Sequence, residues 1–109
     1  MTNKIKNITD ENFKKYLLTN KKYLLVDFWA TWCAPCQSLS VILKEIYNQY
    51  QDCLKIIKID VEKNIKLTSK YSVQSIPTLI LFKKDQVIDK NIGFLSKEQL
   101  CLFLNKHMQ

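Results

Sequence analysis

A chain of 109 residues, 47% hydrophobic and 25% charged, has room for one domain around one sizeable core, which excludes a second domain and a disordered chain. Its net charge of +7 comes from 17 basic residues, all lysines scattered along the chain; without arginine to grip phosphate and base edges in bidentate fashion, nucleic acid is not an expected partner. Neither the roughly 18 apolar residues of a membrane span nor, in MTNKIKNITDENF, the roughly 7 to 15 of a secretion signal are present, so no membrane partner is expected. A reducing compartment is expected instead, where four cysteines need not pair.

The pattern reads straight through residues 1–109 as one domain, without repeats or linkers. KIKNI (Lys4 to Ile8) predicts a short edge strand. In TDENFKKYLL, Thr9 or Asp10 can cap a helix whose Phe13, Tyr16 and Leu17 share one face. YLLVDFWA is apolar on both faces, as a central strand covered by helices would be, and Asp27 interrupts it. Leu39, Ile42, Leu43, Ile46 and Tyr50 keep helical spacing, predicting a second helix from about Ala34 to Tyr50. LKIIKIDV is a second interior strand, interrupted by Lys58, and a short helical piece spans Ile65 to Tyr71. SIPTLILF opens a third strand at Pro77, and a turn at Lys83 to Gln86 leads into VIDKNI as its antiparallel partner. SKEQLCLFLNKH carries a capping box from Ser96 to Gln99 and an apolar face of Leu100, Phe103 and Leu104. The order βαβαβ, short helix, ββα implies an α/β fold with a mixed sheet and helices on both faces.

WATWCAPCQ places Cys33 and Cys36 three apart, where a strand gives way to a helix. Two thiols at this spacing can meet as a disulfide, serve as half of a metal site, or act in redox exchange. The unpaired amides of a first helical turn and the helix dipole favour negative charge, so Cys33 should ionise more readily than Cys36. Cys33 is accordingly read as the exposed nucleophile and Cys36, one turn in, as the resolving thiol. Pro35 costs no hydrogen bond in a first turn, and Ala34 leaves little bulk over the outer sulfur. A zinc site would need two further ligands; Cys53, Cys101 and His107 are the candidates, and none forms a second close pair. Cys53 and Cys101 are read as passive thiols, and no metal is expected.

LLVDFWATWCAPC, IPT at Ile76 to Thr78 and IGFLSKEQL together resemble the thioredoxin family over essentially the whole chain. The resemblance implies the thioredoxin fold, a central mixed sheet flanked by four α-helices with the cysteine pair at the start of the second. It also implies a protein disulfide reductase working by dithiol–disulfide exchange, with a redox-active Cys33–Cys36 disulfide and no bound cofactor. The alternatives are a thiol oxidant or isomerase of the same fold, or a non-catalytic binding module. Disulfide-containing client proteins and a separate thioredoxin reductase are the implied partners, because a chain with one glycine cannot hold a glycine-rich nicotinamide-binding fingerprint. A monomeric electron carrier in redox homeostasis is expected, in the cytoplasm or alternatively an organelle stroma.

An ionised carboxylate inside a central strand costs several kcal/mol unless paired or neutralised, so Asp27 calls for a use. If the two interior strands are neighbours, Lys58 could stand beside it. The resemblance makes Asp27 the group that deprotonates Cys36, and Lys58 its partner. It carries a cis peptide bond to Ile76–Pro77, a substrate-facing backbone edge to Ile76, and a place beside the cysteines to Gly93, the chain's one glycine. Trp32 and Ile76 would complete an apolar substrate-binding platform with Pro77 and Gly93. Five positions depart from the family pattern. Ala34 replaces the usual glycine and can retune the redox balance, while retained Pro35 argues for a reductant. Val41 replaces a mid-helix proline, Asp85 a hairpin glycine, Phe94 a smaller residue, and Gln37 a lysine.

Overall fold

The computed structural model describes residues 5–20 and 22–108, and residues 1–4, 21 and 109, Lys4 of the first expected strand among them, lie outside the described residues. The elements run β1 (Lys6–Asn7), α1 (Asp10–Thr19), β2 (Tyr23–Trp29), α2 (Ala34–Tyr50), β3 (Leu54–Asp60), α3 (Ile65–Lys70), β4 (Thr78–Lys83), β5 (Gln86–Ile92) and α4 (Lys97–Asn105). The sheet order is β1-β3-β2-β4-β5, with β1 and β2 parallel to β3 and the β2–β4 and β4–β5 pairs antiparallel. Parallel neighbours cannot be joined by a tight turn, and α2 supplies the crossover from β2 to β3. The expected mixed α/β sheet with four helices is therefore present. Among the described residues no helix is long and apolar enough to cross a membrane.

Alternation along β2 divides the core. Leu24, Val26 and Phe28 pack with Phe13 and Leu17 of α1 and Leu67 of α3. Leu25 packs on the other face with Leu39, Leu43 and Ile46 of α2 and Leu100 and Leu104 of α4. Asp27 shares the parity of Leu25 and so lies on the α2 side. A fully buried Leu or Phe stabilises by about 1.5 to 3 kcal/mol, so β2, buried on both faces from Leu24 to Phe28, is the fold's anchor and a rigid base for what sits at its end.

The helix starts differ from expectation at one point. Ser96 and Gln99 form the expected capping box on α4. Thr9 occupies the N-cap position of α1 but its side chain makes no capping bond. Asp10 serves a neighbour instead, its carboxylate accepting from the Lys66 and Leu67 amides at 3.3 and 3.0 Å in the first turn of α3. Asn64 reciprocates by accepting from the Asp10 amide at 2.9 Å. The two helix starts thus satisfy each other, which removes the need for local caps. In the hairpin, the left-handed residue is Lys84 (φ 57°), so Asp85 does not bear the strain expected of a glycine replacement.

Candidate active site

The chain leaves β2 at Trp29 and enters α2 at Ala34, so the two cysteines lie where a strand buried on both faces meets the N-terminus of the longest helix. Cys33 is the N-cap, and its sulfur accepts from the Cys36 amide at 3.2 Å; Pro35 sits in the first turn, where its missing N–H costs nothing. Cys33 and Cys36 are joined as a disulfide with a Cα–Cα distance of 5.2 Å. Both are buried, 4% and 2% exposed, which corrects the reading of Cys33 as exposed in this oxidised state. Ala30 below them and Trp29, Val61 and Ile76 around them account for the cover, while Ala34 and Pro35 are exposed.

Asp27 stands two residues before Trp29 and is completely buried, with no hydrogen-bond partner on either carboxylate oxygen. Burial pushes its pKa up from 3.8 to about 7 against the opposing pull of Lys58. Lys58 is its register partner on β3, half-buried. The two do not close as an ion pair: among the described residues the one contact of salt-bridge geometry is Asp89 with His107, at 2.7 Å. Lys58 Nζ instead donates to Ser40 Oγ at 3.0 Å and lies 4.6 Å from the centre of the Trp29 ring. Burial also lowers the Lys58 pKa, more than Asp27 raises it, with Lys44 adding to the lowering. Desolvation outweighs mutual attraction for both groups, as expected of charges held apart.

The Ile76–Pro77 peptide is cis, and the Pro77 carbonyl accepts from the Gly93 amide at 2.8 Å. Ile76 packs on the disulfide, and Gly93 has a φ of 102°, a conformation that favours glycine, with open space where a side chain would project. Ile76 is thus beside the cysteines, with Pro77 next in the chain and Gly93 tied to Pro77. Trp32 is 66% exposed, not a core residue, and its indole donates to Glu62 Oε2 at 2.7 Å.

Sequence reasoning passed over Ser40, Val61 and Glu62. Ser40 carried a signal, since it follows Cys36 by four and so shares its helix face; Val61, read as the end of the second interior strand, lies with Glu62 in the loop after β3, which stops at Asp60. Cys53 is exposed and Cys101 partly buried, both free. His107 is engaged by Asp89, and among the described residues no group of three or more His, Cys, Asp or Glu could hold a metal ion.

A thioredoxin family model matches residues 4–106. The chain is 46% identical over 109 residues to a thioredoxin of Buchnera aphidicola subsp. Baizongia pistaciae, covering 100% of both chains. It is 44% identical over 101 residues to a thioredoxin of Staphylococcus haemolyticus, covering 93% of this chain and 95% of that one. To thioredoxin 1 of Synechococcus elongatus it is 40% identical over 101 residues, with 93% and 94% covered.

Proposed function

This chain belongs to the thioredoxin family, and from that premise we propose how the residues around its disulfide divide the work of exchange. Its activity is that of a protein-disulfide oxidoreductase working by dithiol–disulfide exchange through Cys33 and Cys36. In the reduced protein Cys33, facing the unpaired amides of α2, is the thiolate; thioredoxins are the familiar case of this lowering, and the helix terminus accounts for its direction. It attacks one sulfur of a client disulfide, whose S–S bond breaks and whose other sulfur leaves as a thiolate and is protonated by solvent. Cys36 then gives its proton to Asp27, and its thiolate attacks the Cys33 sulfur. The Cys33–Cys36 bond closes, the second client sulfur departs to be protonated, and Asp27 returns its proton to solvent. Two electrons have passed to the client.

The observation that carries these roles is the buried, unpartnered Asp27 on the α2 face of the strand that leads into the cysteine turn. A carboxyl with a pKa of about 7 is matched to accept and release a proton near neutral pH. Lys58 biases it electrostatically. Ala34 and Pro35 tune the balance between thiolate and disulfide. Trp32, Ile76, Pro77 and Gly93 form the client platform, where the Ile76 backbone offers an edge to an extended segment and Gly93 leaves room for its approach. A separate reductase returns the electrons, the chain acts as a one-domain monomeric carrier in redox homeostasis, and the cytoplasm is its place of work.

Insulin reduction with dithiothreitol tests the nucleophile: Cys33→Ser should fall to the uncatalysed rate, and a rate equal to the parent's would leave only a binding module. Trapping a mixed disulfide at Cys33 tests the base. Asp27→Ala should form it normally and resolve it slowly, and unchanged resolution would remove Asp27 from the mechanism.

A further inference from the structure

Asp27 and Lys58 face each other in register across β2 and β3, an arrangement that invites a buried ion pair, and yet the pair is open. What holds it open is visible on α2. Ser40, one turn beyond Cys36, accepts the Lys58 ammonium at 3.0 Å, and the face of Trp29 gives the same charge a second partner at 4.6 Å. Cys36, Ser40, Lys44, Lys58 and Trp29 line a cleft of about 180 Å³, which places the ammonium at an opening beside the resolving thiol. Among the described residues the other elements around the carboxyl bring no further charge to it: Leu79 stands opposite on β4, and α4 contributes Leu100 and Leu104 to this side of the core. On β1, Asn7 is the register partner of Lys58 and is engaged by the Trp29 indole at 2.8 Å. The charged groups of the relay are therefore Asp27, Lys58 and Lys44.

We propose that Ser40 is a positioning residue of the exchange reaction, whose hydroxyl holds the Lys58 ammonium at the cleft and away from Asp27, so that the carboxyl stays a proton acceptor for Cys36 and not a permanently ionised ion-pair partner. The proposal rests on the reading of Asp27 as the base. Without the hydroxyl, a half-buried ammonium loses its hydrogen-bond acceptor, and the unpartnered carboxylate in register with it offers compensation. An approaching positive charge favours the ionised carboxyl and makes it a weaker base. Lys44, repelling the same ammonium from the cleft side, pushes in that direction once Ser40 lets go.

The experiment compares the parent with Ser40→Ala and Ser40→Thr. The Asp27 titration is followed by carboxyl-carbon NMR in the oxidised protein, where neither active-site cysteine titrates, and the pH profile of mixed-disulfide resolution is followed by rapid quench. Ser40→Ala should lower the Asp27 midpoint by roughly one pH unit, as when a unit charge closes from about 6 to about 4 Å at an effective dielectric constant near 20. The resolution profile should move with it, Ser40→Thr should restore both, and in a Lys58→Met background Ser40→Ala should move neither. An unmoved midpoint while Asp27→Ala still slows resolution overturns the role of Ser40, as does a shift that persists without Lys58. A midpoint that moves while the resolution profile stays fixed overturns instead the base role of Asp27, and with it the place of Ser40 in the reaction.

Discussion

Replacing Asp27 by asparagine should stabilise the oxidised protein, and by an amount that depends on pH in a defined way. The carboxyl is completely buried and unpartnered, and burial raises its pKa from 3.8 to about 7. Between those values the folded state holds a proton that the unfolded state has released. Stability of the parent therefore falls as pH rises from about 4 to about 7, and the whole cost stands above that. At 1.36 kcal/mol per pH unit the cost is on the order of 4 kcal/mol. Asparagine keeps the shape and is neutral at every pH, and its buried amide faces the same lack of partners as the protonated acid. The variant should thus stay close to the parent near pH 4, gain about half of the difference by about pH 5.5, and exceed it by ~4 kcal/mol at pH 8.5. Urea unfolding of both oxidised proteins across this range is the assay. A stability difference that stays constant with pH would refute the claim that the folded protein keeps this carboxyl protonated into the neutral range.

Trp32→Ala, which removes a side chain 66% exposed, should raise the KM for protein clients severalfold while stability moves by no more than about 0.5 kcal/mol; an unchanged KM would take the indole out of the platform. Gly93→Ala meets no atom within 4 Å, so its cost is the backbone's alone at a φ of 102°, about 1 to 2 kcal/mol by denaturation, and a larger loss would mean that the glycine has another role. Ser96→Ala removes one half of the capping box and should cost about 1 kcal/mol, with faster amide exchange confined to the first turn of α4. Leu25→Ala, at the centre of the α2 face, should cost about 2 to 5 kcal/mol, and a loss under 1 kcal/mol would show that β2 is not the anchor described.

What the sequence disclosed and what it withheld divide along a physical line. Periodicity and local capping are short-range, and they place α2 from Ala34 to Tyr50, the Ser96–Gln99 box and the apolar strands where the structure has them. The cysteine turn was legible for the same reason, because a strand, a proline and a helix start are all read within a few residues. Where hydrogen bonds run between distant parts of the chain, local reading fails. Asp10 has the composition of a cap for its own helix, yet its acceptors go to amides 56 and 57 residues away, because a carboxylate satisfies whichever orphan donors packing brings nearest. Lys58 is the same case. Opposite charges on adjacent strands read as a pair, and the register does align them, but the flexible lysine stem also reaches an acceptor on the helix above and an aromatic face beside it. Register fixes only where the two backbones stand. Which of several partners takes the ammonium is decided by the groups that α2 places within its reach, whereas the raised proton affinity of the carboxyl comes first from its burial, with Lys58 opposing it.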